Sequence, residues 1–210
     1  YNIADTAIVG NLAGEASLAA VGAAAPIYTL IISFANGCTN GFSIILAQKY
    51  GARDERAMQQ VVTWTYVLTI GMSVLLTVGS MVFLRPLLKF LNTPDHIIGE
   101  ADSYLRIILA FVAVTMLYNT FAGLLRALGD SKTPLYFLIF SSLVNVVLDI
   151  IFVGNLGMGV SGAAYATVIA TCISMLLCLF FIAKKYPILR FHTKYVGKNM
   201  SYAKELLSTG

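Results

Sequence analysis

The stretch LVNVVLDIIFV, residues 143–153, places an amide and a carboxylate four residues apart within an otherwise apolar run. Side chains four apart lie on one face of an α-helix, so Asn145 and Asp149 form a polar stripe, which Ser141 extends by one turn. A carboxylate exposed to hydrocarbon is costly, so inside a membrane this stripe must face protein or water. The stretch therefore predicts a buried polar site within a bundle of helices.

The composition places this helix in a lipid bilayer. Hydrophobic residues make up 58% of the 210 positions and charged residues only 11%, whereas soluble domains average about 25% charged residues. The net charge of +4 is no argument for nucleic-acid binding, because the basic residues cluster at the ends of apolar runs. The three cysteines stand in apolar stretches without metal-ligand spacing, which favours small buried side chains over disulfides or ligands.

The apolar runs predict an all-α, polytopic membrane protein. A span needs about 20 apolar residues at ~1.5 Å of rise per residue. The predicted helices are a partial one at about 1–10 and complete spans at about 18–47, 61–83, 98–128, 135–153 and 163–183. The basic, amphipathic segment 186–210 is interpreted as a linker that leaves the membrane. Because the chain starts at Tyr1 and its last ten residues have the pattern of another element beginning, we expect a fragment of a longer protein.

Basic residues are distributed unevenly between the two ends of the predicted spans. Only Arg85, Lys89 and Arg106 lie on or near one side. The other eleven lie on the opposite side: Lys49, Arg53, Arg56, Arg126, Lys132, Lys184, Lys185, Arg190, Lys194, Lys198 and Lys204. Loops rich in Lys and Arg remain in the cytoplasm, so segments 48–60, 129–134 and 184–210 are predicted to be cytoplasmic.

Asp5 is interpreted as the only other acid within the predicted spans, and no basic residue is expected at a comparable depth. A permanent ion pair is therefore not predicted for Asp5 or Asp149, and acids inside a membrane commonly mark ion pathways. Burial disfavours a charged carboxylate, so each acid could bind a proton, or a sodium ion with amide and hydroxyl oxygens as further ligands. The alternative is a structural acid paired with a neighbour.

The sequence gives little support for an enzyme. It shows no nucleophile, metal-ligand cluster or acid-base motif, and we expect neither catalysis nor a cofactor. An intramembrane aspartyl hydrolase that uses Asp5 and Asp149 as a dyad is the enzymatic alternative, but no catalytic motif accompanies the two acids.

Four stretches, taken in this order and spacing, resemble the multidrug and toxic compound extrusion (MATE) family, and most of all its bacterial DNA-damage-inducible-type branch. They cover nearly the whole chain: YNIADTAIVGNLAGEASLAAVGAAAPI, AQKYGARDERA, LLRALGDSKTP and NVVLDIIFVGNLGMGVSGAAYATVIA. The resemblance implies a twelve-helix antiporter of the bacterial cell membrane, built from two six-helix lobes. Such proteins export organic, often cationic, compounds against H⁺ or Na⁺. Residues 1–185 would be the N-terminal lobe, with its first helix partial, and 186–210 the linker to a second lobe.

The resemblance also implies site residues. In similar transporters, an aspartate of the first helix and an Asn/Asp pair of the fifth join a hydrogen-bonded network in the cavity of the N-terminal lobe. Asp5, Asn145 and Asp149 match these positions, which makes them the candidate cation-coupling set and a possible Na⁺ site.

Three further residues stand where cavity partners from the first, fourth and sixth helices are expected, namely Tyr1, Asn119 and Thr167. For amides and hydroxyls, ordinary hydrogen bonds between packed helices are the alternative interpretation. The stronger rival function is a lipid or lipid-linked oligosaccharide flippase of related topology. A flippase cavity is expected to carry several basic residues for pyrophosphate, whereas this one offers carboxylates, amides and hydroxyls.

Overall fold

A computed structural model describes residues 2–196 and 200–209, with side chains from residue 5 onward, and within these residues the chain forms eight α-helices and no strand. The helices are α1 (Asn2–Leu12), α2 (Glu15–Gly51), α3 (Glu55–Phe90), α4 (Asp95–Ala110), α5 (Val112–Ala127), α6 (Lys132–Asp149), α7 (Gly159–Lys185) and α8 (Met200–Thr209). A π-helical segment, Ile150–Asn155, continues α6, and two short 3₁₀ turns precede α8.

Four of the described helices, α2, α3, α6 with its π-helical extension, and α7, are long and apolar enough to cross a membrane. The pair α4 and α5 is long and apolar enough only when taken together, with a bend of 46° at Phe111, and gives a fifth span if the two helices cross as one. These features confirm the predicted all-α, polytopic membrane fold. The described part of α1 has 11 residues, which is too short to cross a bilayer.

The prediction of one continuous helix over 98–128 is wrong at Phe111. There the backbone N–H donates to Ile108 O, three residues back, and the carbonyl accepts from Val114 N, three residues ahead. These shorter bonds replace the regular i→i−4 pattern and allow the axis to turn. No Gly or Pro stands at the break, so the sequence carried no signal of it.

The other helices extend beyond their predicted ends. Helix α2 begins three residues earlier and ends at Gly51, and α3 continues through Pro86 to Phe90. The predictions followed hydropathy, which falls where polar residues begin, whereas backbone hydrogen bonding continues into water. Asp54 then fixes the start of α3, because its Oδ1 accepts from Ala57 N at 2.9 Å.

Helix α7 lies among its neighbours because small residues face them. Ala163, Ala166 and Ala170 are fully buried, and α7 packs against α4, α5 and α6. Without a hydrophobic force between helices in lipid, such residues allow backbones to approach closely. Beside Ala163, Gly162 touches the π-helical segment, since an added Cβ would lie 3.1 Å from the backbone carbon of Phe152.

Asp102 corrects the premise that Asp5 and Asp149 are the only acids in the predicted spans. It lies in α4, its side chain is buried, and its Oδ2 accepts from Arg106 Nε at 2.9 Å. The same oxygen lies 3.4 Å from Arg85 Nε on α3. This acid therefore has basic partners and joins two helices, which distinguishes it from Asp5 and Asp149.

Residues 186–196 and α8 fold back onto the end of the bundle that carries the turn between α2 and α3, here called the linker end. The Tyr66 hydroxyl donates to Leu189 O at 2.8 Å, and the side chains of Leu189 and Leu206 are fully buried. Lys49 on α2 lies 3.9 Å from Glu205 on α8. The segment predicted as a linker is thus docked on the bundle.

Asp130 closes the turn before α6. Its Oδ1 accepts from Thr133 N at 3.1 Å and its Oδ2 from Thr133 Oγ1 at 2.9 Å. Burial alone would raise the pKa of Asp130. The bonds from Thr133, the charge of Lys185 and the hydroxyl of Tyr186 together hold that pKa below its ordinary value.

We expect Asp130→Ala to lower the free energy of unfolding by about 1 kcal/mol at neutral pH, as for the loss of a helix cap. Because the folded-state pKa is lowered, the contribution of Asp130 is complete above the unfolded-state pKa of about 3.9. It disappears as the pH falls through the folded-state value. Thermal unfolding in detergent should therefore show the two proteins converging under acidic conditions, and a constant difference at every pH would contradict this role.

Candidate functional site

Three helices bring Asp5, Asn145, Asp149 and Thr167 together. The first three are fully buried and Thr167 is 6% exposed. The Thr167 hydroxyl on α7 donates to Asp5 Oδ2 on α1 at 2.6 Å and lies 3.5 Å from Asn145 Nδ2 on α6, from which it can accept. One hydroxyl thus connects the predicted residues of α1, α6 and α7.

Asp149 completes this acid cluster. Its carboxyl group is near enough to that of Asp5 for their charges to interact directly. Two neighbouring carboxylates out of contact with water cannot both carry an uncompensated charge at low cost. The pair therefore favours a bound cation or proton.

Four buried oxygens of the cluster have no hydrogen-bond donor among the residues that the structure describes. They are Asp5 Oδ1, Asn145 Oδ1 and both carboxylate oxygens of Asp149. Buried polar atoms are almost always hydrogen-bonded, and exceptions call for an explanation such as an ion or a proton. Carboxylate, amide and hydroxyl oxygens are ligands suited to a hard cation such as Na⁺. These oxygens therefore fit either a bound proton or a bound sodium ion.

The geometry follows from local structure. The spacing of four places Asn145 and Asp149 on the buried face of α6, as predicted. Asp149 is the last α-helical residue before the π-helical segment. π-helical turns are rare and often stand at functional sites, because they change the direction in which adjacent side chains point.

Ser141, the third residue of the predicted stripe, has a different role. The Ser174 hydroxyl on α7 donates to the Ser141 hydroxyl and lies 3.3 Å from Phe137 O. Both serines are fully buried. This contact fastens α6 to α7 beside the acid cluster.

Tyr104 belongs to the site but was missed by the sequence reasoning. It is 3% exposed on α4 and interacts electrostatically with Asp5, Asp149 and Tyr28. A phenol can donate to a carboxylate. Its neighbours on the same helix face are apolar and buried, so the pattern indicated ordinary core. Only the packing of α4 against α2 and α7 brings it to the acids.

Asn119 lies in a cavity adjoining the acid cluster. This cavity has a volume of about 140 Å³, between α2, α4, α5 and α7. Asn119 Nδ2 donates to Asn36 Oδ1 at 2.6 Å, and Thr167 lines the same cavity. Thr167 therefore links the cavity to the acids. Asn119 bonds to Asn36 and forms no hydrogen bond with the acids. The predicted network residue Tyr1 lies outside the described residues.

The cavity walls are neutral. Amide, hydroxyl and aromatic groups line it, and none of the described lining residues is Lys, Arg, Asp or Glu. Three aromatic side chains contribute, Tyr28, Phe111 and Tyr118, together with the hydroxyls of Thr115 and Thr171. Such walls can offer hydrogen bonds and π-faces to an organic molecule.

Long apolar helices surround two buried acids and a polar cavity, as in a helical membrane protein whose polar groups face its interior. A sequence profile described as MatE matches residues 1–151. The chain belongs to this family, the multidrug and toxic compound extrusion transporters.

Relatives agree with this assignment. The chain is 36% identical over 203 residues to the probable multidrug resistance protein YoeA of Bacillus subtilis, covering 95% of this chain and 44% of YoeA. It is 27% identical over 185 residues to the DNA damage-inducible protein F of Escherichia coli, covering 87% and 40%. The chain thus spans less than half the length of these relatives.

Solved structures of MATE proteins also resemble this chain in fold. A MATE protein crystallised in a bent conformation superposes with a TM-score of 0.93 at 30% identity, over 100% of this chain and 47% of the other. An inward-facing multidrug resistance MATE transporter of the MOP superfamily gives 0.92 at 29% identity, covering 100% and 48%. These homologues are transporters rather than enzymes.

Proposed function

We propose that this chain is the N-terminal lobe and linker of a secondary transporter that exports organic cations from bacteria by antiport with H⁺ or Na⁺. Residues 1–185 form the lobe, and 186–210 connect it to a second six-helix lobe of the same polypeptide. Membership of the MATE family and the multidrug function named for its relatives support this proposal. Alternating access in transporters built from repeats places the substrate site between the halves.

Three carboxylate oxygens carry the proposal, Asp5 Oδ1 and both oxygens of Asp149, which are buried and accept no hydrogen bond from the described residues. A proton or a sodium ion compensates their charge in one state of the transporter. Loss of that ion leaves two carboxylates that repel each other. A cationic substrate or a rearrangement of α1 must then relieve this repulsion. Thr167 transmits the change, because its hydroxyl bonds to Asp5 and its side chain lines the cavity. Binding of the ion at the acids and binding of the substrate in the cavity thus affect each other through Thr167.

The flippase alternative is less favoured. A pyrophosphate-linked lipid requires basic groups, and none of the described residues that line the cavity is basic. Aromatic faces and neutral oxygens suit an organic cation better.

A transport assay in inverted vesicles tests the proposal. Vesicles containing the transporter should take up ethidium when a proton or sodium gradient of the correct direction is imposed, and collapse of that gradient should stop uptake. Uptake that depends on ATP alone would overturn antiport. Uptake of a labelled lipid with no ethidium transport would favour the flippase.

The orientation in the membrane gives a separate prediction. In a background without the three native cysteines, Arg56→Cys in the first turn of α3 should be protected from an impermeant maleimide added to intact cells. His96→Cys, at the opposite end of the bundle, should be labelled. The charge asymmetry of the loops is the physical reason. The reverse labelling pattern would invert the proposed topology.

A further inference from the structure

A second cavity lies at the linker end, apart from the acid cluster and the neutral cavity. It has a volume of about 320 Å³ and is lined by α3, α5, α7 and the segment that follows α7. Its walls are apolar, with Leu117 and Leu179 on the helices and Phe191 on the linker. The Phe191 ring lies 6.2 Å from that of Tyr66, which closes one side. The linker therefore forms a wall of this cavity.

The cavity opens toward hydrocarbon. Ile70 and Leu179 line it and are 55% and 43% exposed, although both belong to membrane-spanning helices. Exposed apolar side chains on a span face lipid chains. Lys184 and Lys185 end α7 within a turn of the cavity, and such residues mark the level of the lipid headgroups. The cavity thus extends from the headgroup level into the acyl-chain region.

Arg190 is the charged residue among those that line this cavity. One of its terminal nitrogens donates to Ala183 O, a carbonyl in the last turn of α7. This bond holds the guanidinium at the linker wall beside the apolar space. A guanidinium has five N–H donors, and no carboxylate in residues 2–196 or 200–209 forms an ion pair with Arg190. Several donors thus stay available for an anion.

We propose that this cavity binds an anionic phospholipid, with one acyl chain in the apolar space and the phosphate on Arg190. Arginine matches phosphate by paired hydrogen bonds, and basic pockets between spans at the cytoplasmic side bind anionic headgroups. A zwitterionic lipid would bring its own cation close to Arg190, so an anionic headgroup is preferred. Bound lipid would join the linker to α3 and α7.

Native mass spectrometry of the transporter in detergent tests this site without relying on transport. Titration with dioleoyl phosphatidylglycerol should show one lipid that survives activation, and the phosphatidylcholine analogue should bind about tenfold more weakly. Arg190→Gln should remove this preference, and Arg190→Lys should retain most of it. Leu179→Trp, which fills the cavity, should weaken both lipids. Lys204→Gln, at an exposed residue of α8 at the same end, should bind as the wild type does.

Three kinds of result would overturn the proposal. One is equal retention of the two lipids by the wild-type protein, which would indicate acyl contact alone. Another is an unchanged phosphatidylglycerol preference in Arg190→Gln, which would place the anion elsewhere. The third is wild-type binding in Leu179→Trp, or equal competition by glycerol phosphate lacking acyl chains, since either would exclude a chain in the cavity. Melting temperatures of all variants would verify that each is folded.

Discussion

Replacing Asp149 by asparagine is expected to reduce gradient-driven export to background while the protein remains folded and in the membrane. Asparagine has nearly the same shape, and the charge of Asp149 has no basic partner among the described residues. The substitution removes a group that can exchange a proton or hold a sodium ion, and it ends the repulsion with Asp5. Efflux of ethidium from energised cells, normalised to the amount of protein in the membrane, measures the effect.

Asp5→Asn should give the same phenotype, because the two acids act as one pair. In both variants the binding of a cationic substrate should lose its dependence on pH or sodium. Asp54→Asn is a matched control: Asp54 is exposed, and asparagine caps a helix as well as aspartate does. Normal export by Asp5→Asn and Asp149→Asn at normal expression would contradict a coupling role and indicate that both acids are structural.

Gly123→Val is expected to have the largest effect on folding. Gly123 lies on α5 where α2 crosses, and an added Cβ would lie 2.1 Å from Ser43 Oγ. The two helices make one of the most extensive contacts in the bundle. A branched side chain would separate them or force strained rotamers, which costs about 1–3 kcal/mol or more. The variant should show a markedly lower melting temperature in detergent and reduced accumulation in the membrane.

A compensating substitution sharpens this test. Gly123→Ala alone should destabilise the protein moderately, because the clash is with the hydroxyl of Ser43. Ser43→Ala removes that hydroxyl, and its Cβ would lie 3.4 Å from the new methyl group, an acceptable contact. The double variant should therefore recover most of the lost melting temperature. A Gly123→Val protein that melts like the wild type would show that these helices are not closely packed at Gly123.

The features of the site that depend on local helix geometry could be predicted from the sequence. Helical periodicity alone placed Asn145 and Asp149 on one face, and the cost of burying a carboxylate indicated that this face is internal. Hydropathy located the spans, because crossing a bilayer needs long apolar helices. Asp5 was singled out as an acid within the predicted spans, whereas Thr167 was assigned only through resemblance to a family. Nothing local connects these two residues, which lie 162 positions apart.

The rest depends on packing between distant segments. Tyr104 was missed because its own helix face is apolar, and its acidic neighbours come from α1 and α6. The bend at Phe111 and the π-helical segment after Asp149 arise from backbone hydrogen bonds that side-chain patterns do not encode. The sequence reasoning missed Asp102 when it counted the acids within the predicted spans. Arg106 stands four residues later, which is a regular spacing for an ion pair on a helix.

Ion release on substrate binding is the most direct test of the proposed exchange at Asp5 and Asp149. Ethidium is titrated into the purified transporter by calorimetry. Buffers of different protonation enthalpy report the protons released, and the dependence of the affinity on sodium concentration reports the sodium ions displaced. If the cluster is the exchange site, the wild-type protein releases about one cation for each ethidium bound, and Asp149→Asn releases none while still binding. Equal release by the wild type and Asp149→Asn, or no release by the wild type with either ion, would contradict it.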